Sequence, residues 1–250
     1  MILNPIHKAL LTFRNCSARF LLMGGQACIL YGGAEFSRDL DFSIGVDTDN
    51  LAAVRSALAA LEAERVFVPE LDEHALRRGH ACHFRCHADG VEELRIDLMA
   101  KMRGCPDFDA LWERRSVVKL PEIGEIGLLS LPDLIQAKKT QREKDWPMIR
   151  RLIETDVAQN GENAGPEKVV FWLRECRTPA LLVQLARQYA GACRKAAEYR
   201  PLLIAALEQN MSELESLLLK EEMDEREKDR EYWRPLKEEL EKWRRRLESS

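Results

Sequence analysis

The chain has 250 residues, of which 46% are hydrophobic and 32% charged, and its formal net charge is −4. That balance describes a folded chain with extra solvated helix, long enough for one sizeable core plus an appendage or for two small domains. The acidic balance speaks against a strongly electropositive nucleic-acid binder while leaving room for an RNA held by a local basic patch, and no apolar run approaches the ~18 residues that a membrane-spanning helix needs.

The first residues lack a signal peptide's order of basic start, apolar middle and small-residue cleavage site. Seven cysteines, odd in number and irregularly spaced, suit reduced thiols better than a disulfide frame, so a cytoplasmic location is expected. Residues 5–14 read as a helix. Residues 19–23 form an apolar run of strand length that ends abruptly at Gly24-Gly25. Residues 26–31 allow about two helical turns before Gly32-Gly33 stops them. Leu40, Phe42 and Ile44 then alternate with Asp39, Asp41 and Ser43, the period of a half-buried strand.

Chemistry follows from that alternation. Residues i and i+2 of a strand point the same way with Cα atoms about 6.6 Å apart. Asp39 and Asp41 therefore project together while Leu40 and Phe42 enter the core. Two adjacent carboxylates repel unless a cation sits between them, and hard oxygen ligands favour Mg²⁺ or Mn²⁺. The glycine pair lets backbone come close, and the helix behind it offers unpaired N–H groups to an anion. A phosphate cradle beside a divalent-metal site suggests a nucleoside triphosphate.

Downstream, Thr48-Asp49-Asn50 offers capping side chains to a helix carrying Leu51, Val54, Leu58 and Leu61. Residues 64–69 read as a strand and 70–78 as a short helix or loop. The run Gly79-His80-Ala81-Cys82-His83-Phe84-Arg85-Cys86-His87, an Asp89-Gly90 turn signal and residues 94–99 read as a hairpin with a loop longer than two residues. Its histidines and cysteines invite a zinc assignment. On a strand, however, His80, Cys82 and Cys86 share one face and His83 and His87 the other, so they do not meet one tetrahedral ion. Buried thiols and exposed histidines are expected instead.

Residues 107–115 look helical, followed by strands at 116–120 and 126–129. Ser130-Leu131-Pro132-Asp133 has the cap, early proline and early acid of a helix start. The spacing predicts that this helix runs on with Lys138, Arg142 and Asp145 on one face, either toward a ligand or as a solvent-facing ladder of ion pairs. Asp145 and Pro147 open a further helix to about residue 157. The polar stretch 159–166 reads as a linker, and everything beyond it as helical. Residues 220–231 are charged except for Met223, which predicts a solvated rod or arm. Trp233, Leu236, Leu240, Trp243 and Leu247 then form a stripe that needs cover, from its own domain, a second copy or another protein.

Gly24-Gly25, thirteen residues, then Asp39-Leu40-Asp41-Phe42 resemble the signature of the DNA polymerase β-type nucleotidyltransferase superfamily. Its members include aminoglycoside-modifying enzymes, tRNA-end-adding enzymes and the nucleotidyltransferases of abortive-infection and toxin–antitoxin systems. The resemblance covers about residues 19–154. It implies a third acid on a later strand, a role that Asp97 in Leu94-Arg95-Ile96-Asp97-Leu98-Met99 fits. The segment LPDLIQAKKTQREKD is similar to the "K…R.KD" helix of the abortive-infection group, which implies that Lys138 faces nucleotide phosphates. One position departs from the pattern: the family often has an arginine four residues before the first aspartate, and here it is Glu35.

The expected fold is thus α+β, a nucleotidyltransferase-type mixed sheet with flanking helices over residues 1–158, then a linker (159–166) and an all-helical region (167–250). The resemblance implies transfer of a nucleoside monophosphate from an NTP to a hydroxyl of RNA, protein or a small molecule. Asp39, Asp41 and Asp97 would hold Mg²⁺ or Mn²⁺, with Asp97 also taking the acceptor's proton. Gly24, Gly25, Ser37, Arg38, Lys138 and Arg142 would contact the nucleotide. The rivals are a catalytically silent relative acting as a binding partner, and a scaffold that oligomerises through its C-terminal helix.

Overall fold

Alternating apolar residues in short runs, bounded by turn residues, produce the sheet on which the first half of the chain is built. A computed structural model describes residues 4–248, with side chains through residue 246, so Leu247 of the expected stripe lies outside the described side chains. The chain divides into two units. The first combines the residues up to Ile29 with Phe36–Ala137 and the stretch from Tyr232 onward. The second combines Leu30–Glu35 with Lys138–Glu231, so the boundary expected at 159–166 falls inside it.

The first unit is α+β. Its elements are α1 (Pro5–Asn15), β1 (Phe20–Met23), α2 (Gly24–Leu30, whose last residue belongs to the second unit), β2 (Leu40–Ile44), α3 (Thr48–Ala60), β3 (Glu64–Arg65), α4 (Glu73–Arg78), β4 (Cys82–Arg85), β5 (Arg95–Met99), α5 (Phe108–Glu113), β6 (Ser116–Leu120), β7 (Gly124–Leu128) and α6 (Leu131–Lys138, whose last residue likewise belongs to the second unit). The strands form one mixed seven-stranded sheet in the order β3-β4-β5-β2-β1-β7-β6. β1 runs antiparallel to β2 and parallel to β7, and β2 runs parallel to β5. The expected hairpin is present as antiparallel β4–β5.

The core gathers where α1 meets the central strands. Phe13, Phe20 and Phe42 form a triangle of rings with centroids 4.7–5.7 Å apart. Leu40, Phe42 and Ile44 are fully buried, as the alternation predicts, and each such side chain contributes about 1.5–3 kcal/mol of burial. The cap of α3 differs from the expectation. Asp47 accepts from the Asn50 amide at 2.9 Å, which frees the Asn50 side chain for other work. Buried Asn50 instead accepts from the Arg19 N–H at 2.6 Å and donates to the carbonyls of Arg19 and Gly45 at 3.0 and 2.8 Å, joining the start of β1 to the end of β2. Ser130 caps α6 as predicted, receiving the Asp133 N–H at 3.3 Å.

Part of the tryptophan stripe packs on its own unit, while Trp233, Leu240 and Trp243 stay half-buried. Leu236 is buried, the Trp243 ring lies 4.6 Å from that of His80, and Glu239 meets both His80 Nε2 (2.9 Å) and Arg78 (2.8 Å). His80, expected at the surface, is therefore buried.

The second unit is helical: α7 (Asp145–Asn160), α8 (Pro166–Glu175), α9 (Pro179–Gln188), α10 (Ala190–Ala196), α11 (Leu203–Glu208) and residues 211–231 of the long α12 (Met211–Glu248). Trp146 and Trp172 are its largest fully buried side chains. The charged stretch 220–231 is helical but not a solvated arm. Buried Arg200 and Arg177 both bind Glu221, at 2.7 and 2.5 Å, and buried Asp229 accepts from the Gln141 amide at 2.8 Å. Two guanidiniums withdrawn from water require such carboxylates. Among the described residues no helix is long and apolar enough to cross a membrane.

Candidate active site

Strand register builds the site. The parallel β2–β5 pairing sets Asp41 directly opposite Asp97, and the antiparallel β4–β5 pairing sets His83 opposite Asp97. On the other side β1 sets Met23 opposite Asp41. His83, Asp97, Asp41 and Met23 thus form one row across four neighbouring strands. Paired residues point to the same face with strands about 4.8 Å apart, so the two carboxylates are neighbours by backbone placement. Asp39 stands two residues before Asp41, just ahead of β2, and is half-buried like it.

The glycine pair is fitted to this row. Gly24 adopts φ +64°, which glycine reaches without the cost other residues bear, and a Cβ there would lie 1.8 Å from Asp41 Oδ2. A Cβ on Gly25 would lie 2.3 Å from the Ser37 hydroxyl. Chain reversal at the end of β1 therefore brings bare backbone against Asp41 and Ser37 together. Ser37 is itself positioned by Gln26, whose amide donates to its carbonyl at 2.9 Å. Arg38 is exposed, its guanidinium 5.5 Å from the Phe36 ring centre.

Asp97 is held on one oxygen by two donors. Its Oδ1 receives His83 Nδ1 at 2.8 Å and Arg95 Nε at 2.8 Å, while Oδ2 makes no hydrogen bond among the described residues. Burial opposes its ionisation, but the His83 and Arg95 contacts outweigh that and hold the carboxyl below its ordinary value. The 2.8 Å contact assigns the proton to His83 Nδ1, because a bare ring nitrogen would repel the carboxylate. Arg95 is raised above the usual arginine value, chiefly by its hydrogen bond to Asp97, with the charges of Asp97, Asp39 and Asp41 adding to it. The direct contact of this guanidinium is with Asp97. Among the described residues no set of three or more His, Cys, Asp and Glu side chains stands ready to hold a metal ion.

Lys138 and Arg142 meet each other on a different acid. α6 stops at Lys138, so these residues do not lie along one helix as the spacing predicted. Lys138 Nζ (3.0 Å), Thr140 Oγ1 (2.6 Å) and Arg142 Nε (2.9 Å) converge on Asp145, which is buried in the second unit. The break turns an expected ladder into a closed cage around one carboxylate. In the hairpin, Cys82 and Cys86 are buried as expected, and burial pushes their thiols up to about 12 and about 11. His83 is half-buried against Asp97, and His87 alone of the three histidines is exposed.

Sequence reasoning missed Arg95 and His83 as members of the site. Arg95 shares the strand face of Asp97 and was visible in that sense. His83 required the β4–β5 register, which a nine-residue loop (86–94) does not reveal from composition. No family model matches the sequence, and no curated protein matches it.

Proposed function

We propose that the chain is a nucleotidyltransferase that moves a nucleoside monophosphate from an NTP to a hydroxyl acceptor and releases pyrophosphate. The observation that carries this reading is Asp41 paired with Asp97 on adjacent parallel strands, with Gly24 pressed against the Asp41 carboxylate. The polymerase β-type resemblance of Gly24-Gly25 and Asp39-Leu40-Asp41-Phe42 supports it. The donor chemistry suits Mg²⁺ or Mn²⁺, since Asp39, Asp41 and Asp97 offer carboxylate oxygens only, the hard ligands such ions take, although these side chains do not already converge as a metal group. When bound, such an ion supplies neutralisation of the triphosphate and polarisation of the α-phosphate.

The chain's own residues divide the remaining work. Gly24 and Gly25 let the backbone close on Asp41 and Ser37, where any side chain would displace the carboxylate or the hydroxyl. Asp97, oriented by His83, accepts the proton of the attacking hydroxyl. The acceptor oxygen bonds to the α-phosphorus as the bond to the pyrophosphate oxygen breaks. Incubation with each α-labelled NTP, Mg²⁺ and a cell extract should label one class of acceptor, and Asp41→Asn should abolish the label. Absence of label with every NTP overturns transfer.

A second reading, an NTP-binding relative without transfer, is favoured by one observation. Asp97 is already held by Arg95 and His83, and the family's usual arginine position carries Glu35. Calorimetric binding of Mg²⁺–NTP with no labelled product selects that reading.

A further inference from the structure

Asp41 and Asp97, paired across β2 and β5 with Asp39 two residues ahead of Asp41, carry a charge that something must balance, and Arg95 supplies a cation beside it. Arg95 reaches along β5 from two residues away and donates through Nε to Asp97 Oδ1 at 2.8 Å. Its Nη2 lies 3.1 Å from His83 Nδ1, two donors brought close by the one acceptor between them. A guanidinium stays charged at every relevant pH, so this compensation is permanent while the contact lasts. Asp39 and Asp41 also act on the Arg95 charge, which places it within the field of the whole acidic row. Its side chain is 36% exposed, so it is not locked in the interior.

His83 differs from Arg95 in both exposure and consequence. Its ring sits in the paired row itself, 23% exposed, and its contact with Asp97 is fixed by register rather than by a long side chain. Loss of Arg95 from Asp97 would leave His83 still orienting the carboxylate. The two donors are therefore separable: one holds direction, the other holds charge.

We propose that Arg95 is a resident counter-ion that gates the acidic row: it leaves Asp97 when a divalent cation enters, and then takes a phosphate oxygen of the nucleotide. This inference rests on the nucleotidyltransferase reading. The exchange leaves neither side without a cation, the carboxylates trading a single positive charge for a double one. The carboxylates exchange one cation for another, and the released guanidinium finds the oxyanion partner it binds best. Arg95 moved into water alone has no such partner. Metal and triphosphate should therefore bind cooperatively, each weak without the other, because each meets half of the cost of moving Arg95.

The test is Mn²⁺ binding, followed by the loss of the free-ion paramagnetic signal, with and without a non-hydrolysable NTP analogue. Wild type should bind Mn²⁺ weakly alone and much more tightly with the analogue. Arg95→Met keeps the apolar stem and removes the charge. It should bind Mn²⁺ alone about tenfold more tightly than wild type, the scale on which one nearby charge shifts an ionic equilibrium. It should also lose most of the gain from the analogue. Arg95→Gln carries the same comparison should Arg95→Met fail to fold. Tighter Mn²⁺ binding with reduced coupling supports the gate. Wild-type Mn²⁺ affinity in the variant, with Mn²⁺–analogue binding intact, overturns the gate and leaves the nucleotidyltransferase reading standing. No Mn²⁺ binding by wild type, with or without the analogue, overturns both.

Discussion

A methyl group at position 24 has no room. The Asp41 carboxylate occupies the space, 1.8 Å from where a Cβ would stand, and the backbone there has φ +64°. Gly24→Ala should cost about 1–3 kcal/mol in urea unfolding and should also displace Asp41, weakening Mg²⁺–NTP binding measured by calorimetry. Retention of wild-type nucleotide affinity in that variant would count against the closeness of Gly24 to the site. The two paired acids should separate by role. Asp97→Asn keeps an acceptor for His83 and Arg95 and should leave nucleotide binding largely intact while turnover falls ~10²–10⁴-fold. Asp41→Asn should weaken binding and turnover together. Wild-type turnover by Asp97→Asn removes Asp97 as the proton acceptor. The glycines and the three aspartates were legible in the sequence because a turn and a strand's alternation are local properties. The part played by His83 was not, because it depends on which residue of a neighbouring strand lies opposite, and that is set by a loop whose length carries no pattern.

Between α6 and α7 the chain gives up helical hydrogen bonds at residues 139–144 and gains the cage around Asp145. Burial disfavours the charged form of this carboxyl, yet Lys138, Thr140 and Arg142 hold it below its ordinary value. A carboxyl depressed on folding stabilises the protein above its unfolded value of about 3.9, and that contribution is lost as pH falls through the lower folded value. Asp145→Asn should therefore destabilise the chain by about 3 kcal/mol near neutral pH, with the difference from wild type shrinking below about pH 4. Denaturant midpoints across that range check it, and a difference that stays constant to low pH would exclude the cage as its source. Most strands and helix starts could be read from periodicity and caps, as at Ser130. The break at Lys138 could not, since the residues there favour helix and it is held by groups farther along the chain, Asp145, Trp146 and Asp229. The charged stretch 220–231 misled for a related reason: the partners of Glu221 are Arg177 and Arg200, distant in sequence.

At the scale of the whole molecule, the first unit draws on three separate stretches of chain, the last beginning at Tyr232. Deleting residues after Glu231 removes Leu236, Glu239 and Trp243 and uncovers His80. The first unit should lose cooperative stability as a result, and Trp243→Ala alone should cost about 2 kcal/mol in urea unfolding followed by circular dichroism. A truncated chain with the wild-type midpoint would show that this cover is dispensable. The same discontinuity has a consequence during synthesis. Residues 138–231 separate the sheet from the helix that covers His80, and at common translation rates they take about 5–20 s to emerge. For that interval the newly made sheet waits with its α4 end uncovered, while the helices of the second unit have time to assemble. A ribosome stalled before Tyr232 would thus hold a first unit that protease attacks near His80, and release of the last residues would close it.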